Sequence, residues 1–104
     1  MKTINLNKLN HSIRNEQSDG SYYELVLTRM HGITMLQFND CDSDCNEDEV
    51  WSENVIGIVN VLKYIDAKIW YYRTKHYRTD LVWLYESMLK YILHTLFSKG
   101  HQLR

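Results

Sequence analysis

Seven carboxylate side chains crowd the segment from Asn39 to Glu53: Asp40, Asp42, Asp44, Glu47, Asp48, Glu49 and Glu53. Hard oxygen donors at every second position are what a calcium loop needs, and Asp40, Asp42, Asp44, Asn46 and Asp48 alternate in that way. Two positions break the pattern. Cys45 stands where the loop's sharp turn needs glycine, and Trp51 where a bidentate glutamate belongs. A metal-binding acidic loop over 40–49 therefore ranks below a solvated acidic loop, and no cofactor is expected. The same carboxylates, held in order, would mimic a row of phosphates and occupy a nucleic-acid site on another protein.

Cys41 and Cys45 have three residues between them within that acidic segment. Zinc ligand pairs sometimes use this spacing, with His11, His31, His76, His94 and His101 as candidate partners, but no second pair carries ligand spacing. Neighbouring carboxylates raise thiol pKa values by charge repulsion and so disfavour reactive thiolates. The expectation is two free, unreactive thiols first, a disulfide second and zinc third.

From Lys63 to Arg78 the chain reverses sign. Lys63, Lys68, Arg73, Lys75 and Arg78 face one acid, Asp66, and are interleaved with Tyr64, Trp70, Tyr71, Tyr72 and Tyr77. Cations neutralise phosphates and exposed rings stack on unpaired bases, so a basic and aromatic turn suits nucleic acid. Helix aromatics more often belong to a core, however, and Trp70, Tyr71 and Tyr72 fall partly on an apolar seam.

Neither a glycine-rich phosphate loop nor a nucleophile elbow occurs, and no enzyme is expected. A catalytic pair of distant residues, such as a histidine with Glu24 or Asp80, would be recognised by geometry alone.

These residues sit on a short chain of 104 residues, enough for one core without staples. Its 44% hydrophobic and 24% charged content is that of a folded globular protein. The first ten residues lack the apolar stretch of a secretory signal, and no run approaches a membrane span. A cytoplasmic, membrane-free protein is expected. The net charge of -1 hides an asymmetry: residues 1 to 53 hold ten acids and four bases, residues 54 to 104 three acids and eight bases. Absent proline, with many Asn, Ile, Lys and Tyr, gives the chain a phage-like composition.

Apolar spacings of three and four at Leu6, Leu9 and Ile13 predict a short first helix within Thr3 to Gln17, stopped at Asp19-Gly20. Alternation through Ile4 and Leu6 leaves a strand in competition. Tyr22 to Met30 and Ile33 to Asn39 read as a β-hairpin turning at His31-Gly32. That turn pairs Met30 with Ile33, Thr28 with Met35, Val26 with Gln37, and on the core face Leu27 with Leu36 and Leu25 with Phe38. Asn46 and Glu49 have capping-box layout, and a seam of Trp51, Val55, Ile58, Leu62, Ile65, Ile69 and Tyr72 predicts one long helix, with a strand over Val55 to Val61 as the competing reading. After the break at Arg73 to Arg78, Thr79-Asp80 opens a last helix through Leu81, Leu84, Met88, Ile92 and Leu96, ending at Ser98-Lys99-Gly100. The predicted fold is a single α+β domain of order α-β-β-α-α, a two-stranded antiparallel hairpin packed on two long antiparallel helices.

The three tryptophans, eight tyrosines and two phenylalanines exceed what that core requires. Trp, Tyr and Arg are the residues that carry interface energy, and the last helix spreads apolar character beyond one stripe. The function expected first is a non-enzymatic protein-interaction module, a small phage-type inhibitor that docks on a larger protein. Its candidate partner-binding residues are Arg73, Lys75, His76, Tyr77 and Arg78, with Asp40, Asp42 and Asp44. Trp83, Tyr91 and Leu93 are the candidates for self-association as a homodimer. Nucleic-acid binding by the turn 63–78 is the second reading and a metal-binding loop 40–49 the third.

Overall fold

The computed structural model describes residues 8–42 and 50–97, and in them four strands precede two helices. The strands are β1 (His11–Glu16), β2 (Tyr22–Met30), β3 (Ile33–Cys41) and β4 (Trp51–Ile56), each antiparallel to the next in one sheet of order β1-β2-β3-β4. The helices are α1 (Ile58–Thr74) and α2 (Thr79–Leu96). This is an α+β fold, but of order β-β-β-β-α-α and with twice the strands expected.

The central hairpin has the register that its alternation predicts: Leu25 pairs with Phe38 and Leu27 with Leu36, and all four are buried. His31 and Gly32 take φ of 53° and 77°, the left-handed pair that a type I′ turn demands. The first helix is corrected to a strand. His11–Glu16 lies along β2, Ile13 opposite Leu25, and the segment 3–7 lies outside the described residues. Asp19-Gly20, read as a helix stop, is instead a hairpin turn: the Asp19 carboxylate accepts from the Ser21 amide at 3.0 Å and hydroxyl at 2.6 Å, and Gly20 has φ 90°.

The long helical seam divides in two. Trp51 and Val55 stand on β4, opposite Asp40 and Leu36, and the helix begins only at Ile58. Gly57 is the pivot. Its φ of 96° is open to glycine, its amide donates to the Thr34 carbonyl as the last rung of the sheet, and its carbonyl accepts from Val61 as the first rung of the helix, each at 2.8 Å. The capping box at Asn46 and Glu49 lies outside the described residues. The last helix forms as predicted, although its N-cap residue is Arg78, and Asp80 spends its carboxylate on Arg78 instead of a backbone cap.

Both helices cover one face of the sheet, α2 over β1 and β2, α1 over β3 and β4. Leu9, Leu25, Leu27, Leu36 and Phe38 meet Val61 and Ile65 from α1 and Leu81, Leu84, Tyr85, Met88, Ile92 and Leu96 from α2. A polar chain runs through this core: the Tyr64 hydroxyl donates to Glu53 at 2.7 Å and lies 3.0 Å from the Tyr85 hydroxyl. Burial pushes both phenols well above the ordinary tyrosine value. Cys41 is buried and disulfide-bonded, which corrects its reading as a free thiol. No helix among the described residues is long and apolar enough to cross a membrane.

Candidate functional site

The basic and aromatic segment folds into the C-terminal half of α1 and the turn that reverses it into α2. One helical face carries Asp66, Trp70 and Arg73, four and three residues apart, so they stack as neighbours on the side away from the sheet. Across the hairpin, Thr79, Trp83 and Glu86 form the matching row on α2. The Arg73 guanidinium and Glu86 carboxylate join the two rows as an ion pair.

Three hollows adjoin here. One of 270 Å³ is bordered by Tyr72, Tyr77, Val82 and Trp83, with Arg73 and Glu86 at its wall. A second, 570 Å³, runs along α1 between Asp66, Ile69, Trp70 and Arg73. A third lies on the β4 side of Trp70, beside Lys68, Tyr71 and Tyr72. Trp70, Trp83 and Tyr77 are 58%, 51% and 75% exposed. They line hollows that share Arg73 and Tyr72, which sets them along one end of the helical hairpin.

Tyr77 is also strained, with φ of 52°, a region an aromatic L-residue adopts rarely and at some cost. The strain ends α1: with Tyr77 turned left-handed, the Arg78 amide reaches the Tyr72 carbonyl at 2.9 Å. Lys75 sets its ammonium 5.7 Å from the centre of the Trp70 ring, and His76 packs at 4.7 Å on Tyr71. Strain at the most exposed ring of the cluster is the outlier that draws attention to this end of the hairpin.

Not every expected residue serves this surface. Arg78 is turned inward: Nε and Nη2 donate to the two Asp80 oxygens at 3.2 and 2.9 Å, and Nη2 donates to the Tyr23 hydroxyl at 3.1 Å. Its hydrogen bond to Asp80, then that to Tyr23, raises the guanidinium pKa further, while the Asp80 carboxyl is held below its usual range by the same bond. Arg78 thus braces the sheet against the turn through Tyr23 and Asp80. Asp40 lies half-buried on the helix side of the sheet, in the row of Tyr23 and Trp51; burial, then the neighbouring Asp42 charge, raises its pKa, and Arg78 partly offsets the rise. The start of the acidic loop and the basic turn therefore share one end of the molecule. Asp44 lies outside the described residues, as do Asn46 and Asp48, so the calcium pattern is represented by Asp40 and Asp42 alone.

The self-association set is also divided. Trp83 is exposed and Leu93 is 42% exposed, but Tyr91 lies on the opposite flank of α2 from Leu93. Its hydroxyl donates to the Lys8 and Asn10 carbonyls at 2.8 and 3.1 Å, and its ring stacks on His11 at 4.1 Å, tying α2 to the start of β1. Tyr91 thus ties α2 to the start of β1, on a different flank of the helix from Leu93.

Trp70 was the ring that the seam argument drew towards the core. Its spacing to Lys63, Asp66 and Arg73, at seven, four and three residues, puts it on the polar stripe of α1, and that signal was present in the chain. On the sheet's other face a polar ladder crosses all four strands: Arg14 to Glu24 at 3.2 Å, Asn39 to Glu24 at 3.0 Å, and Ser52 to Asn39 at 2.7 Å. Its groups satisfy one another, and the same face exposes Met30, Ile33 and Ile56 at its other end. No family model, curated protein or solved structure matches the chain.

Proposed function

We propose that this chain is a non-enzymatic protein-binding module, a small inhibitor that covers part of a larger protein through the outer face of its helical hairpin. The observation that carries the reading is the grouping of Trp70, Tyr77 and Trp83, each more than half exposed, around adjoining hollows on two antiparallel helices. Aromatic anchors in such settings supply most of the energy of a protein interface. The helices present them on a rigid base, because the six core residues of α2 lock it to the sheet independently of Trp83.

Nucleic acid is the second reading and finds less support in the geometry. Of its proposed contacts, Arg73 is paired with Glu86 and Arg78 with Asp80, so both arginines are already neutralised within the chain. Lys63, Lys68 and Lys75 remain, with Tyr77, fewer charges than phosphate-driven binding commonly neutralises.

A photo-crosslinking residue at position 83, with position 54 on the open face of the sheet as control, tests the proposal in the native cell. The expected result is one protein adduct from position 83 and none from position 54. Purified, that protein should lose affinity by about 30-fold with Trp70→Ala plus Trp83→Ala, while the melting temperature stays within a few degrees. Adducts from position 54 alone, or a nuclease-sensitive adduct, would overturn it.

A further inference from the structure

The charges around the two tryptophans say what kind of partner fits. Seven residues before Trp70 stands Lys63, and seven after Trp83 stands Lys90, in each case two helical turns along the same face. Lys75 hangs over Trp70 itself. All three lysines are exposed, and none makes an ion pair among the described residues. Against them the face offers one unpaired acid, Asp66, because Arg73 and Glu86 cancel one another. The face therefore carries two hollows beside exposed tryptophans, with three lysines flanking them along the helices against one acid, Asp66, that makes no ion pair among the described residues.

A second copy is a poor occupant. Two-fold self-docking would set one lysine-bearing face against the same face of the other copy, and like charges at an interface are costly. Docking this face on the acidic end of another copy, near Asp40 and Asp42, makes a head-to-tail contact, which a two-fold dimer does not use.

Resting on the docking surface proposed above, we infer that the occupant is an acidic segment of the partner protein carrying at least two large apolar side chains. The anchors enter the hollows beside Trp70 and Trp83, and carboxylates lie over Lys63, Lys75 and Lys90. From Lys63 to Lys75 the face runs about 18 Å, roughly the length of a twelve-residue helix.

The test uses three synthetic peptides of about fourteen residues carrying a neutral fluorophore: leucine at helical spacing with glutamate elsewhere, the same with lysine in place of glutamate, and the glutamate peptide with serine in place of leucine. Fluorescence anisotropy with the full chain should show binding of the glutamate and leucine peptide alone. Lys63→Glu plus Lys90→Glu should weaken it about tenfold, and Trp70→Ala plus Trp83→Ala about 30-fold. Equal binding of the lysine peptide, insensitivity to either double variant, no binding of any peptide, or a sedimentation mass that rises to a dimer would each overturn the inference. If the crosslink from position 83 still captures a protein while the acidic peptide fails, the docking surface stands and the acidic class falls; if both fail, the docking surface falls with it.

Discussion

Removing one hydroxyl from each of two touching tyrosines should have unequal effects, and the less buried one should matter more. Tyr64 has a single proton, which it donates to the Glu53 carboxylate at 2.7 Å, so the 3.0 Å contact with Tyr85 must be a donation from Tyr85. Tyr85→Phe removes that outer donor and leaves Tyr64 bonded to Glu53; the loss is one neutral hydrogen bond, about 1 kcal/mol. Tyr64→Phe leaves the Tyr85 hydroxyl orphaned at a position with 0% exposure and deprives Glu53 of its donor. A buried unsatisfied hydroxyl and a lost bond to a charged acceptor together cost about 3 kcal/mol. The double variant should cost about 2 kcal/mol, less than Tyr64→Phe alone, since it deletes the orphan. For a chain of this size 1 kcal/mol moves the melting midpoint by about 4–5 °C, so urea titration and thermal scans both resolve the order. A larger loss for Tyr85→Phe, or additive losses, would refute the assigned direction of the relay.

Three further outcomes follow from the same physical terms. Tyr77→Gly should stabilise the chain by about 1 kcal/mol in urea, because glycine accepts φ of 52° without strain, while the partner's affinity drops with loss of the ring. Arg78→Ala should destabilise by about 1–2 kcal/mol, with no rescue by Arg78→Lys, which lacks the fork that grips both Asp80 oxygens. Because Asp80 has a depressed folded pKa, its share of that stability is present above its unfolded value of 3.8 and fades as pH falls through the folded one; acid titration of the Arg78→Ala variant should show less of this component. At the other extreme Tyr64 and Tyr85 keep their protons when folded, so stability should decline as pH rises past the unfolded value of 10.0, and the double Phe variant should decline less.

The sheet was only half legible because a spacing of four residues is ambiguous. It places side chains on one face of a helix and, being even, on one face of a strand. Leu9 to Ile13 and Trp51 to Val55 are both steps of four, and both segments end in strands. A step of three discriminates, but Val55 to Ile58 crosses Gly57, where the chain changes period. Helical periodicity thus ran unbroken over a strand, a left-handed pivot and a helix, and Gly57 was the one mark of the boundary. The hairpin avoided the trap: β-branched alternation and a turn residue able to take positive φ agreed with each other, so its register could be written pair by pair. Asp19-Gly20 carried the same kind of turn signal, and the neighbouring helical reading suppressed it.

The docking surface depended on a distinction that spacing alone draws poorly, between a ring one step off the core stripe and a ring on it. Ile69 and Trp70 are adjacent, 100° apart on the helix, and only the first packs against the core. On α2 the core is complete with six residues, and Trp83 adds nothing to it. Open tryptophans on a monomer invite aggregation, and a ring of lysines is the usual restraint, since like charge keeps copies apart. Lys63, Lys75 and Lys90 do this around Trp70 and Trp83, and the same charges that repel a second copy attract carboxylates. On the proposed reading one arrangement disfavours self-association and favours an acidic partner, so neutralising the lysines without touching the tryptophans should lower partner affinity and raise self-association together.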